Sequence, residues 1–267
     1  MKQKTISKPF QLSGIGLHSG EETTLLFSPA PPNTGICFIK EEKRIPALVD
    51  YIKETQRGTT LDEIAVIEHL LSAAYGLGVD NLEIEVRGGE LPALDGSSLP
   101  YAEALELAGL IEQNELKNFL ILGKPIKVFE GEASLEALPY RGFKVDFVVD
   151  FPGAGEQRFS FDPQKVDFKK EIAPARTFGY IEEYEILKAQ GLALGASFEN
   201  ALVLGKDGYI NTPRFPDELV RHKILDLIGD LALLGRPLLA EVKAIKSGHT
   251  LNIELARLLR QAEKAGK

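Results

Sequence analysis

The chain has 267 residues, 44% of them hydrophobic and 26% charged, with a formal net charge of −8. That length suits one large domain or two of ordinary size, and the apolar fraction supports a buried core, which excludes global disorder. The acidic balance disfavours a general nucleic-acid binder, although a local basic pocket for a phosphate group remains compatible with it.

The opening stretch, MKQKTISKPFQL, has no long apolar run, so no signal peptide is expected. No run of about 18 uncharged apolar residues occurs anywhere, so no stable membrane insertion is expected and the cytoplasm is the default location. Segments 23–27 (TTLLF) and 35–39 (GICFI) read as strands on either side of a Pro-rich turn at 29–34. The second holds Cys37, the single cysteine, which rules out an intrachain disulfide and a Cys-based zinc cluster. The pattern predicts a helix over 62–75, opened by a Thr60–Glu63 capping box and stopped by Gly76 and Gly78. A half-buried strand follows at 81–86 and a helix at 99–110.

The polar segment 112–118 lacks periodicity and sets the expected boundary between a domain at 1–115 and a second at 116–267. Strands are predicted again at 124–129, 133–137 and 143–151. A helix at 181–190, a strand at 201–204, a long helix at 217–234 and a final helix at 251–264 complete the chain. Strands followed by helices in each half argue for two α+β domains of two layers and against a βαβ parallel sheet. No repeat is visible at the residue level.

The helix DELVRHKILDLIGDLALL carries Glu218, His222, Asp226 and Asp230 at four-residue intervals, one polar stripe on an otherwise apolar helix. His222 and Asp226 have the spacing to share one cation; a solvated polar face would look the same. The helix around Glu68 and His69 is apolar almost all round, so a charged pair at its centre needs a reason. His69, His222 and Asp226 would supply the three protein ligands of a catalytic zinc, with Glu68 beside them able to take a proton from water. A hydrogen-bonded core histidine with a solvated glutamate is the plainer reading. His249, on a turn after Gly248, is either a general acid or an ordinary surface histidine. Thr177 offers a hydroxyl donor and Phe178 a flat apolar surface, in what is otherwise a loop-to-strand junction. Gly14-Ile15-Gly16-Leu17-His18-Ser19 implies a tight exposed backbone but lacks the third glycine and the βαβ context of a dinucleotide site.

Seven segments in one order carry a resemblance: SGIGLHSGE at 13–21, VIEHLLSAAYGLGVDNLEIEV at 66–86, ELPALDGSSLPY at 90–101, PARTFGY at 174–180, GLALGASFENALVLG at 191–205, FPDELVRHKILDLIGDLALLG at 215–235 and IKSGHTLN at 245–252. Together they resemble the UDP-3-O-acyl-N-acetylglucosamine deacetylases of lipid A synthesis. The resemblance implies two α+β domains of similar topology with the active site between them, and a strand-helix-strand insert near 178–204 forming an acyl-chain passage. It implies one zinc ion on His69, His222 and Asp226, Glu68 as general base, His249 as general acid and Thr177 as an oxyanion donor. It further implies Asp230 orienting His249, substrate contacts at Phe178 and Lys223, and Leu192, Ala193 and Leu194 in the apolar lining. The substrate implied is an acylated UDP-N-acetylglucosamine, with no nucleic acid and no obligate protein partner. The chain departs from the family pattern in a shorter segment at 55–68 and in Val66-Ile67 before the Glu-His pair.

Two imidazoles and a carboxylate suit zinc, and iron(II) accepts a similar set. Two other readings stay open at this level: a metal amidohydrolase of another acylated amine, and a non-catalytic module that binds an acylated UDP-sugar.

Overall fold

The computed structural model describes residues 1–265. The first half of the chain runs β1 (Lys2–Ile6), β2 (Phe10–Ile15), β3 (Glu22–Pro29), β4 (Ile36–Lys40), β5 (Lys43–Pro46), β6 (Ile52–Glu54), β7 (Thr60–Leu61), α1 (Glu68–Leu77), β8 (Leu82–Arg87), α2 (Leu99–Leu107) and β9 (Leu110–Leu116). The second half runs β10 (Leu120–Ile121), β11 (Ile126–Glu130), β12 (Ala133–Pro139), β13 (Phe143–Phe151), β14 (Gly155–Phe161), α3 (Phe168–Glu171), β15 (Phe178–Tyr180), α4 (Ile181–Ala189), β16 (Leu202–Gly205), β17 (Gly208–Tyr209), α5 (Glu218–Ala232), β18 (Leu238–Ile245) and α6 (His249–Ala265).

This is an α+β architecture with two main mixed sheets. In the first, β2–β3 and β4–β5 are antiparallel pairs, and β8 lies between them, antiparallel to β3 and parallel to β4. In the second, β11–β12 and β13–β14 are antiparallel pairs, and β18 lies between them, antiparallel to β12 and parallel to β13. The first sheet therefore contains one parallel pair and the second contains two, β13–β18 and the short β10–β18, and in each the last strand returns through a helix to the sheet's middle.

Alternation decides which face each sheet buries. Leu82, Ile84 and Val86 of β8 and Val145, Phe147 and Val149 of β13 point into the core. Glu83, Glu85, Lys144 and Asp146 alternate with them on the outer faces. One apolar core runs through both halves. Helices α1 and α5 pack on each other within it. Leu70, Leu71 and Ala74 of α1 and Ile224, Leu227, Ile228 and Leu231 of α5 are fully buried, each large side chain contributing roughly 1.5–3 kcal/mol. Gly229 permits this crossing: a Cβ there would stand 2.1 Å from the Glu68 carbonyl oxygen. Helix α1 stops at Gly78, which takes the left-handed conformation and donates its N–H to Ala74 and Tyr75 carbonyls.

Three sequence expectations are corrected. The helix expected from 62 begins only at Glu68, and Thr60–Glu63 is no capping box. Thr60 and Leu61 pair with β6, 62–63 form a turn, and Ala65 bridges Glu90 with backbone bonds to Gly89 and Leu91, so tertiary pairing holds 60–65 out of the helix against its local preference. The polar 112–118 segment is strand β9 as far as Leu116, paired with β1. Its side chains are mostly exposed on both faces, so the period-2 signal is missing. Finally, His249 does not precede the last helix on a turn; it begins α6.

The insert expected near 178–204 is strand-helix-strand: β15 runs parallel to β16, with α4 as the crossover. Its own small core of Leu202 and Leu204 packs with Leu219 of α5, which fixes the insert beside the turn that carries His222.

Candidate active site

Four parts of the chain converge at one end of the α1–α5 crossing. Glu68 and His69 form the first turn of α1, His222, Asp226 and Asp230 occupy successive turns of α5, His249 opens α6, and 174–178 is bonded along α5. His222 Nε2 lies 3.3 Å and His69 Nε2 3.8 Å from Asp226 Oδ1. The two imidazoles stand edge to face with centroids 5.1 Å apart. One donor atom from each of the three residues lies within 4.8 Å of the others. Asp226 Oδ1 is buried without a hydrogen-bond partner among the described residues, an arrangement that costs about 1–3 kcal/mol or more if nothing fills it. Asp226 Oδ2 accepts from Lys223 Nζ at 2.7 Å. His222 Nδ1 sits 3.1 Å from the Ala175 carbonyl oxygen, so Nδ1 carries the hydrogen and Nε2 presents its lone pair to the cluster.

Glu68 and His249 flank this trio. Glu68 Oε2 accepts the Thr59 N–H at 3.0 Å, and Oε1 lies 3.9 Å from His249 Nε2. His249 Nδ1 is 2.9 Å from Asp230 Oδ2, and its Nε2 is 3.7 Å from Asp226 Oδ2. Burial pushes the Glu68 carboxyl up to about 7. Burial, reinforced by His222, pushes His69 down to about 3 and burial also lowers His222, so both imidazoles are neutral and able to ligate. For Asp226, burial alone would favour protonation, but His222, Lys223 and His249 override it and hold the carboxyl well below its ordinary range. Burial likewise opposes charge on His249, but Asp230 and Asp226 raise it to about 9.

The cluster forms the floor of a cavity of about 270 Å³. Thr177, Phe178 and Lys223 line it beside the polar floor, and Phe178 meets the His222 ring edge-on at 5.9 Å. The insert supplies an apolar end through Tyr184, Leu187, Ala193, Ala196, Ala201 and Val203. Leu192 is half-buried and Leu194 is exposed, and neither belongs to the wall; Ala193 between them does. Glu218, fourth member of the sequence stripe, stands apart from the cluster and pairs with buried Arg176, accepting from Nε at 2.9 Å and from the Arg176 and Arg214 backbone N–H groups.

Several participants were invisible in the sequence. Thr59 and Asn252 both donate to the Asp230 carboxylate, Ala175 contributes only a carbonyl, and buried Glu90 accepts from the His18 and Ser19 N–H groups, shaping the Gly16–Ser19 loop at the cavity rim. No spacing rule marks them, because each comes from a loop or a distant element. Only the glycines around His18 hinted at that loop.

The family model described as LpxC: UDP-3-O-acyl N-acetylglycosamine deacetylase matches residues 3–261. The chain belongs to this family. A UDP-3-O-acyl-N-acetylglucosamine deacetylase of Coxiella burnetii is 43% identical over 279 residues, covering 99% of this chain and 92% of the relative. Proteins of the same description from Myxococcus xanthus (43% identical, 96% and 85% covered) and Syntrophotalea carbinolica (42%, 95% and 86%) are similarly close. The LpxC deacetylases are zinc amidohydrolases. The donor set here fits that metal: two neutral imidazoles, one ionised carboxylate and an orphaned oxygen aimed between them. Among the described residues no helix is long and apolar enough to cross a membrane.

Proposed function

We propose that this cavity hydrolyses the N-acetyl group of UDP-3-O-(3-hydroxyacyl)-N-acetylglucosamine, giving acetate and the free amine in lipid A biosynthesis, the reaction of the LpxC family. His69, His222 and Asp226 would hold one zinc ion, with iron(II) able to replace it on the same ligands. When bound, zinc would supply Lewis acidity, making water more acidic and polarising a carbonyl oxygen.

The remaining steps belong to the chain's own side chains. Glu68 Oε1, the carboxylate oxygen not engaged by Thr59, takes a proton as water adds to the acetyl carbonyl carbon. The Thr177 hydroxyl donates to the carbonyl oxygen as negative charge builds there, one such donor being worth ~3–4 kcal/mol. His249 Nε2 then protonates the sugar nitrogen as the C–N bond breaks, while Asp230 on Nδ1 holds the ring in place. Phe178 and Lys223 contact the sugar moiety, and the acyl chain enters the apolar passage of the insert.

The two halves, 1–115 and 116–267, are repeats of one topology with the site between them. Support comes from the matching order and sense of five strands in each sheet, β10 being an addition to the second, with α1 and α5 in matching places before β8 and β18, and α2 and α6 after them. A nucleotide-sugar substrate and one thiol, Cys37, agree with a cytoplasmic location.

The convergence of two histidines and an aspartate on one orphaned oxygen, with Glu68 and His249 within 4 Å of each other, carries the reading. The test is acetate release from the acylated UDP-sugar and from its deacylated counterpart. Activity should vanish with a chelator, return with zinc, and need the acyl chain. Acetate release that survives complete metal removal would refute it.

A further inference from the structure

Thr59 is a fully buried polar residue in the loop between β6 and β7. It is absent from the cavity wall, yet it touches every proton-handling group of the site. Its N–H donates to Glu68 Oε2 at 3.0 Å, and its hydroxyl donates to Asp230 Oδ1 at 2.5 Å. The same oxygen lies 3.2 Å from His249 Nδ1. Glu68 comes from the first half, whereas Asp230 and His249 come from the second, so one residue spans the junction of the halves. The loop is shaped for this approach. Gly58 has φ +154, and a Cβ there would stand 3.1 Å from Glu68 Oε1, against the oxygen that faces His249.

We propose that Thr59 is a positioning residue of the deacetylation, its amide aiming Glu68 and its hydroxyl aiming the Asp230–His249 pair. With Oε2 anchored, Glu68 cannot spin its carboxylate, and Oε1 stays turned toward the cavity. Asp230 is held at both oxygens: Oδ1 by the Thr59 hydroxyl, Oδ2 by His249 Nδ1 and by Asn252 Nδ2 at 2.8 Å. Without the hydroxyl, Oδ1 becomes a buried carboxylate oxygen lacking a donor. Asp230 then swings to recover one, and the His249 ring moves with it. Because Thr59 does not reach the cavity, the loss falls on turnover and leaves substrate binding in place.

This rests on Glu68 and His249 being base and acid, so the experiment separates the two claims. Steady-state kinetics, zinc content and melting temperature are measured for Thr59→Val, Thr59→Ser, Glu68→Gln, His249→Gln and the double variant Thr59→Val/His249→Gln. Thr59→Val should lower kcat roughly 10- to 100-fold, the range for one hydrogen bond to a charged group, with KM within about twofold and one zinc per chain retained. Thr59→Ser, which keeps the donor, should recover most of that loss. In the His249→Gln background the added cost of Thr59→Val should shrink to about twofold or less, since coupled residues are not additive. If Thr59→Val turns over at the parent rate, or costs the same factor with and without His249, or if Ser fails to rescue a protein that melts normally, the proposal is overturned. If instead Glu68→Gln or His249→Gln retains full kcat, the base and acid assignment fails first. Should Thr59→Val not accumulate folded, Thr59→Cys, similar in volume with a weaker donor, takes its place under the same outcomes.

Discussion

Asp226 sits where four cationic or ligating side chains meet: His69, His222, Lys223 and His249 all lie within 4 Å of its carboxylate. Its two oxygens are used unequally, Oδ2 bonded to Lys223 and Oδ1 buried without a hydrogen-bond partner among the described residues. Ligand and base can therefore be separated by substitution. Glu68→Ala should keep one zinc per chain and lose nearly all turnover, whereas His222→Ala should lose both; elemental analysis beside an acetate assay checks this, and stoichiometric zinc in His222→Ala would remove it from the ligand set. The Arg176–Glu218 pair works one layer further out. Glu218 is fully buried and fixes Arg176, whose neighbours Ala175 and Thr177 respectively set the His222 tautomer and line the cavity. Glu218→Gln leaves the guanidinium without its counter-charge and should cost about 3–5 kcal/mol in urea unfolding. It should also weaken zinc binding roughly 10- to 100-fold, as loss of a ligand's outer partners does. Unchanged zinc affinity in chelator competition would show that the 174–178 segment is held by other means.

At the scale of elements, the site depends on how closely α1 and α5 cross. Gly229→Ala would drive its methyl into the Glu68 carbonyl, 2.1 Å from the ideal Cβ position. Overpacking of this kind typically costs about 1–3 kcal/mol. Here it should also part Glu68 and His69 from Asp226, so that melting temperature and zinc content fall together. A normal zinc content would mean the helices separate elsewhere. The insert makes a different claim. Ala201 lines the cavity from the insert, one residue before Leu202, whose N–H donates to the Thr177 carbonyl; Ala201→Phe should raise KM for long-chain substrate more than for short-chain substrate, with zinc content unchanged. Equal effects on both chain lengths would argue against an acyl passage there.

These same elements show what the sequence could reveal. The stripe on helix α5 could equally have been a solvated face; it pointed to a cation site only beside the Glu68–His69 pair on the apolar helix before it, and three of its four members meet Glu68, His69 and His249. Glu218 followed the same spacing yet belongs to an ion pair, because spacing cannot distinguish a ligand from a clamp. The start of α1 was misplaced by six residues, since the pairing of Ala65 with Glu90 is non-local and leaves no local mark. Strand β9 escaped for the opposite reason: both of its faces meet solvent, so no alternation was required of it.

For the molecule as a whole, the halves share one apolar core and should unfold together. Tyr75 is one of the ties between them. It lies on α1, its ring packs edge-on against Phe143 at 5.4 Å, and its hydroxyl oxygen accepts the Leu238 N–H at 3.1 Å. Burial pushes the phenol up to about 12. The unfolded chain ionises Tyr75 near pH ~10, so below that value both states hold the proton and the full contribution is present. From there to about 12 the unfolded state releases a proton that the folded state keeps, and stability falls as pH rises. The loss from this one residue is on the order of 2 kcal/mol. Thermal melting of metal-free protein between pH 8 and 12 should therefore show Tyr75→Phe slightly less stable at the lower end, where the hydroxyl's bond to Leu238 is missing. The two curves should draw together above pH ~10, because the variant has no phenol to ionise. Parallel curves across the range would mean that Tyr75 is deprotonated as easily in the fold as in the free chain, and that this tie between the halves is looser than its burial implies.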